Sequence, residues 1–339
     1  MFLQGTTNKD LSVSVVIPTF DRLRDLSRCL NSLSKQTYQN FNVVVISGGD
    51  IKAIEELTKK FNLLIKVTKQ HKKGLVEARN LGWRGTKGDI VCFIDDDSVV
   101  SPNWLEEIVK TFLLDKKIGV VSGPTLIGEK RRKLRDAILL VKRFKEGNIL
   151  WRWLGNFYLN FIMEGKVNEV GKILRSGVFT LGSNYRECLT KDELIEVDYL
   201  EACHMCIRKK ILEETNGFDY LYTGTSECCE PDLAFRIRKL GYRLVFNPKA
   251  ITEHRVSLQG VYRVRTYAFE RSVNFITFYF RHIKPNTFQK FIRFYSYLFF
   301  MNCYWVYKAL DTKNLSWISG IRGTIFGLCK NIIFGRLPK

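Results

Sequence analysis

Three carboxylates stand in a row in the stretch FIDDDS: Asp95, Asp96 and Asp97 follow directly on the apolar run Ile90–Ile94. Adjacent acids repel one another and are costly to bury, so a compensating charge must stand opposite them. The spacing Asp-x-Asp supplies hard oxygen ligands to a divalent metal, which would also neutralise a diphosphate. The competing reading is a turn before a helix, where Asp is common. A second pair of acids lies in CCEPDL. Pro231 suits the first position of a helix, which makes Glu230 the cap and puts Asp232 in the first turn, where the helix dipole favours an acid. Glu is not a preferred cap, so Glu230 is the better candidate for a catalytic base, with Asp232 beside it. His254, just after the last strand of the body, is a candidate ligand to a metal held by Asp97. A rival zinc site is offered by Cys203 and Cys206, spaced C-x-x-C, with Cys228, Cys229 and His254. It is weakened because Cys228 and Cys229 are adjacent, and buried Cys is often only a small apolar residue. Arg79, in GLVEARNLGW, is either a solvated helix arginine or a phosphate contact.

The elements that must position these residues alternate. Val13–Ile17, Asn42–Ile46, Leu63–Val67 and Ile90–Ile94 are short, β-branched and apolar, and read as strands. Between them Asp21–Lys35, Ile51–Phe61 and Gly74–Gly85 carry apolar residues at helical spacing. This alternation predicts an α/β fold with a mostly parallel sheet and helices on both faces. Ligands of such sheets bind at the carboxyl ends of the strands. Pro18-Thr19, Ser47-Gly48-Gly49 and the three acids each follow a strand and should share one rim. A helix is expected from a Ser101 cap to Leu114, then a strand at Ile118–Ser122. The chain from there to about residue 192 reads as irregular, with a basic run at 130–135 before the aromatic stretch Trp151–Leu154. Patterning resumes at Val197–Leu200, and Glu230–Gly241 with Arg243–Phe246 form the last helix–strand unit.

Charge divides the chain unevenly. Of a net +20, residues 255–339 hold 14 Lys/Arg against 2 Asp/Glu, and 20 of the 44 aromatics. A basic, aromatic tail on a nearly balanced body suits an anionic membrane surface or nucleic acid. Its basic residues are interleaved with apolar stretches, which favours the bilayer interface and argues against nucleic acid. The longest uncharged stretch, Phe294–Tyr307, has 14 residues, short of the roughly 18–20 that span a bilayer. Nine cysteines without a regular framework and no visible leader make a reducing compartment the expectation.

Taken in order, SVVIPTFDR, GLVEARNLGWRGTKGDIVCFIDDD, VDYLEACHMCIRKKILEETNGFD and EPDLAFRIRKLGYRLVFNPKAITEH resemble the family-2 glycosyltransferases with the GT-A fold, over roughly residues 12–255. The resemblance implies a GT-A domain over 1–255, with a nucleotide-sugar half at 1–125 and an acceptor half at 126–255. Residues 256–339 would then be a membrane-associated helical region. It implies an inverting transferase that takes a sugar from a nucleotide diphosphate sugar, with Mn2+ or Mg2+ as cofactor. Pro18, Thr19, Asp21, Ser47 and Arg79 would line the nucleotide pocket. Asp95 would face the nucleotide, Asp97 and His254 would hold the metal with it, and Asp96 would be the spare acid of the group. Glu230 falls at the acceptor-side acid. Ser47 stands where the family commonly has Asp, His204 where Asn is common, and Cys229-Glu230 replaces an acidic doublet. A lipid-linked acceptor or a growing glycan, met at the cytoplasmic face of the cell membrane, is the expected partner. A metal-dependent nucleotidyltransferase, or a basic binding protein without catalysis, remains the alternative; PTFDR lacks the Gly-rich basic loop that the former usually needs.

Overall fold

The computed structural model describes residues 10–132, 136–259 and 267–333. Among them, eight strands form one sheet in the order β3-β2-β1-β4-β9-β6-β10-β8. These are β1 Val13–Thr19, β2 Phe41–Ser47, β3 Ile65–Lys69, β4 Ile90–Phe93, β6 Ile118–Ser122, β8 Ile195–Glu196, β9 Met205–Arg208 and β10 Arg243–Phe246. A small second sheet joins β5 Ser98–Val100, β11 Thr252–His254 and β7 Thr125–Leu126. The first half pairs in parallel, β1 with both β2 and β4, and β2 with β3.

The helices of this half follow their strands as the alternation predicts: α1 Leu23–Leu33, α2 Ile51–Thr58, α3 Leu75–Arg84 and α4 Trp104–Leu114. The Asp50 carboxylate caps α2 by accepting from the Lys52 and Ala53 amides. Strand alternation sends Val13, Val15 and Ile17 of β1 to one face, against Leu26, Leu30 and Leu33 of α1 and Trp104 of α4. Val16 faces the other way, into a cluster with Val76 and Trp83 of α3. Both faces are covered, as a parallel sheet requires.

Several expectations are corrected. β3 begins at Ile65, not Leu63, and α4 begins at Trp104 behind Asn103, not at a Ser101 cap. Val197–Leu200 is not a strand; the paired residues are Ile195 and Glu196, antiparallel to β10. The supposedly irregular stretch carries α5 Glu129–Arg132, α6 Asp136–Glu146 and α7 Ile149–Phe157, the last capped by Asn148. Part of the basic run, residues 133–135, lies outside the described residues. The largest omission is β9, which enters antiparallel between β4 and β6, so the sheet is mixed at its centre.

The chain after β8 adds α8 Lys209–Thr215 and α9 Cys229–Lys239, and the C-terminal region adds α10 Ala268–Phe278, α11 Phe288–Asp311 and α12 Ser319–Ile333. These last helices are not an appendage with a core of their own. Phe275, Phe278, Tyr279, Phe294, Leu298 and Trp305 lie in the same apolar cluster as Phe93 of β4 and Leu233 and Ile237 of α9. No described helix is long and apolar enough to cross a membrane.

Candidate active site

The parallel strands end together, as expected for the ligand side of such a sheet. The β1–β2 register sets Pro18 opposite Ile46 and Thr19 opposite Ser47. Asp21 then takes a left-handed backbone, φ +52°, a conformation Asp tolerates better than most residues. Its carboxylate accepts from the Asp50 amide at 2.8 Å. A Cβ at Gly49 would fall 2.0 Å from the same carboxylate, so only glycine fits there. Asp21 thus stitches the turn after β1 to the turn after β2. Ser47 is fully buried, and its hydroxyl accepts from the Gly49 amide at 3.3 Å, so it shapes this turn and does not open onto solvent.

The three acids lie beyond β4, in the turn that leads to β5, and they diverge. Asp95 keeps a side chain 26% exposed and faces Arg79 at 3.9 Å. Asp96 turns into the protein, accepting from Thr19 Oγ1 at 2.6 Å and from Arg22 Nε at 3.0 Å. It is therefore no spare; it is the counter-charge of Arg22. Asp97 accepts from the Ser257 amide at 2.7 Å and faces His254 Nε2 at 3.4 Å and Arg22 at 3.7 Å. Burial alone would push the Asp97 carboxyl up, but His254, Arg22 and the Ser257 N–H together hold it well below the usual carboxylate range. Arg22 was quoted in PTFDR without a role and proves to be the compensating charge for two acids.

Arg79 differs from its expected place as an open pocket contact. It is 1% exposed, donating to Glu230 Oε1 at 2.5 Å and to the Ala202 carbonyl at 3.0 Å, with Phe218 under its guanidinium. It therefore links Asp95 to Glu230 from behind. Glu230 lies in the first turn of α9, whose cap is Cys228 at φ +71° and whose third residue is Pro231. The helix starts two residues before the expected point, and Pro is tolerated because first-turn amides need no intrahelical partner. Asp232, the second expected catalytic acid, is not at the rim. It is fully buried and accepts from Tyr222 at 3.1 Å and Arg236 at 2.8 Å, with His282 at 2.7 Å. Two residues along α9 rotate it roughly 200° from Glu230, and it anchors α9 to the segment after α10.

His254 reaches the acids through pairing: β11 runs antiparallel to β5 with His254 opposite Ser98, next to Asp97. A further neighbour went unassigned. Phe93 of β4 pairs with Met205 of β9, and continuing that register by two residues sets Cys203 opposite Asp95. Donor atoms of Asp95, Cys203 and His254 all lie within 4.8 Å of one another. The zinc reading had joined Cys203 to His254, but its other members are elsewhere: Cys206 pairs with Cys92 inside the sheet, and Cys228 and Cys229 are packed in the apolar cluster. Asp95, Cys203 and His254 offer carboxylate, thiol and imidazole donors close enough together for one divalent ion, and Asp97 lies beside His254.

His204 is a buried structural imidazole. Trp104 donates its indole N–H to Nε2 at 2.9 Å, so the hydrogen-bond network puts the proton on Nδ1, which faces Thr252 Oγ1 at 3.2 Å. Burial pushes the imidazole down to about 3.

Residues 14–167 match the family described as Glycosyl transferase family 2. Among similar proteins, glycosyltransferase GlyA of Streptococcus pneumoniae is 32% identical over 104 residues, 30% of this chain and 15% of its own. Chondroitin synthase of Escherichia coli is 32% identical over 117 residues, 33% of this chain and 17% of its own. The chain spans between 14% and 38% of the length of the curated relatives it matches. In three dimensions it resembles the mannosyltransferase PcManGT from Pyrobaculum calidifontis, solved with GDP-Man and Mn2+. The TM-score is 0.52 at 14% identity, over 96% of this chain and 88% of that one. It also resembles GalNAc-T7, solved with UDP, GalNAc and Mn2+, with a TM-score of 0.53 at 16% identity over 80% of this chain and 51% of that one. Residues 14–167 are thus similar to glycosyl transferase family 2, and the chain shares the GT-A fold of these two glycosyltransferases.

Proposed function

We propose that the chain is an inverting, metal-dependent glycosyltransferase that moves a sugar from a nucleotide diphosphate sugar to a hydroxyl or phosphate acceptor. The observation that carries this is the convergence of Asp95, Asp97, His254 and Glu230 at the carboxyl ends of the strands, with Arg79 linking the two sides. The turns after β1 and β2, fixed by Asp21 and Thr19, form the floor on which the nucleotide would lie. Mn2+ or Mg2+ held by Asp95, Asp97 and His254 would supply charge stabilisation to the diphosphate leaving group. Glu230 is the base for a hydroxyl acceptor. Arg79 holds its Oε1 and so fixes which oxygen faces the acceptor. A nucleotidyltransferase is disfavoured because the turn after β1 offers no free cation to a triphosphate: Arg22 is already committed to Asp96 and Asp97.

A lipid-linked acceptor, or a glycan growing at the cytoplasmic face of a membrane, suits the molecular surface. Ile149, Leu150, Trp153 and Phe157 of α7 are exposed on one helical face, 80%, 61%, 69% and 43%, and Arg152 is exposed among them. An amphipathic face of this kind seats in a bilayer interface.

The decisive test is a panel of UDP-, GDP- and dTDP-sugars screened for metal-dependent hydrolysis. At least one donor should be turned over, and Asp97→Ala should abolish that turnover. Undiminished hydrolysis in Asp97→Ala, or no hydrolysis or thermal stabilisation with any donor, would overturn the proposal.

A further inference from the structure

We infer that Cys203 is a metal ligand, so that the rim holds its divalent ion through a thiolate as well as through carboxylate and imidazole donors. Three observations point there. The donor atoms of Asp95, Cys203 and His254 lie within 4.8 Å of one another, a spread that one central ion can bridge. The β4–β9 pairing ends at Phe93 and Met205, two residues short of Asp95 and Cys203, so the central sheet brings together the two turns that carry them. The third observation separates Cys203 from the other cysteines. Among the described residues seven cysteines are buried, and Cys29, Cys92, Cys188, Cys206, Cys228 and Cys229 all lie inside the apolar clusters. Cys203 is 4% exposed yet belongs to none of those clusters. Its neighbours are an acid and an imidazole, so the usual account of a buried cysteine as a small apolar filler does not apply to it.

The chemistry follows from ligand softness. Oxygen-only sites suit Mg2+ and Mn2+, whereas a thiolate favours Zn2+, Co2+ and Cd2+. Binding converts the Cys203 thiol and a free cation into a metal–sulfur bond, and the thiol proton is released to solvent. The site would therefore rank Cd2+ and Co2+ above Mn2+ by more than an oxygen and imidazole set does, and Cys203 sets that preference.

The inference rests on the proposed reading of this rim as a metal site, and its test needs no sugar and no turnover. The full chain is titrated with Co2+ and followed in the near-ultraviolet, where a sulfur-to-cobalt charge-transfer band reports a thiolate ligand. Surface thiols are removed as a source of that band by working in a Cys303→Ser, Cys329→Ser background, both residues being exposed. The band is expected in that background and should vanish in Cys203→Ser, while weaker visible cobalt bands persist from Asp95 and His254. Direct Cd2+ and Mn2+ titrations of Cys203→Ser should show Cd2+ affinity falling roughly tenfold or more, with Mn2+ affinity changed far less. An unchanged melting temperature in the apo variant excludes misfolding as the cause. Cobalt binding without the band, a band that survives Cys203→Ser, or no cobalt uptake at all would each overturn the inference. Loss of sugar-nucleotide hydrolysis with the band intact would instead count against the transferase reading alone.

Discussion

Asp96 separates two jobs that three consecutive acids might be assumed to share. Its carboxylate accepts from Thr19 and from two nitrogens, Nε and Nη2, on one edge of the Arg22 guanidinium, 0% exposed against 18% for Arg22. Asp96→Asn keeps the shape but removes the counter-charge, leaving Arg22 with only Asp97 at 3.7 Å. Removing one partner of a buried pair costs far more than the pair itself contributes, so we expect a loss of about 3 kcal/mol in urea unfolding. Asp95→Asn, whose acid is partly open, should unfold near the wild-type midpoint. A midpoint for Asp96→Asn within error of wild type would show that the Arg22 pair carries no stability. The sequence alone made Asp96 the mildest position; burial makes it the structural one, and Asp95 and Asp97 are the ones proposed to act in the reaction. That Asp96 points away from its two neighbours was expected from FIDDDS, though a turn and not strand alternation produces it; its partner three residues after Thr19 was not legible, because nothing local says which side chain lies 74 residues away.

At the scale of elements, β9 shows where sequence reading runs out. The strands β1 to β4 declare themselves by β-branched runs between helices, and all four were found within two residues. β9 has only four residues, Met205–Arg208, and its antiparallel place between β4 and β6 depends on long-range pairing. Its flanking C-x-x-C drew attention to metal chemistry, and the register, not the motif, decides that Cys203 and not Cys206 meets His254. α7 was missed for a different reason: Trp151 and Leu154 pack inward while Ile149, Leu150, Trp153 and Phe157 face outward, so no single apolar stripe marks its core side. β9 also carries a pH-sensitive tie. His204, just before it, bonds Trp104 of α4, faces Thr252 of β11, and its carbonyl accepts from Ser122 of β6. Burial holds its imidazole down to about 3 against an ordinary 6.5. The unfolded chain therefore takes up a proton below about pH 6.5 that the folded chain refuses until near pH 3. Stability should fall with acidification by up to about 1.4 kcal/mol per pH unit across that window from this residue alone. His204→Asn can still accept from Trp104 but cannot titrate, so its unfolding free energy should fall less steeply from pH 6 to pH 4. Equal slopes in the two proteins would refute the assignment.

For the whole molecule, the question is what the C-terminal third is for. The charge imbalance suggested a separate membrane device, yet α10 to α12 are built into the core, and Asp232 clamps Arg281 and His282 at 3.1 Å and 2.7 Å. The outward apolar surface is instead shared. Phe157 of α7 stacks on Phe300 of α11 with ring centroids 6.0 Å apart, and α11 exposes Phe299, Val306 and Leu310 at helical spacing beyond it. Arg143 of α6 borders this surface, over the rings of Trp151 and Tyr307, so apolar insertion and attraction to anionic head groups would act on the same side. The proposed catalytic acids and these outward apolar helices thus belong to one folded unit, an arrangement that suits the proposed transferase meeting its acceptor at a bilayer. We expect the full chain to co-sediment with vesicles containing phosphatidylserine and to do so less with phosphatidylcholine alone. Leu150 and Trp153 are 61% and 69% exposed, so replacing both by Ser should leave the melting temperature nearly unchanged. Each side chain is worth roughly 1.5–3 kcal/mol when buried, so the double variant should bind the vesicles at least tenfold more weakly. Equal sedimentation with and without vesicles would remove the membrane from the account. Vesicle binding that ignores the Leu150 and Trp153 substitutions would move the contact off α7 and onto another face.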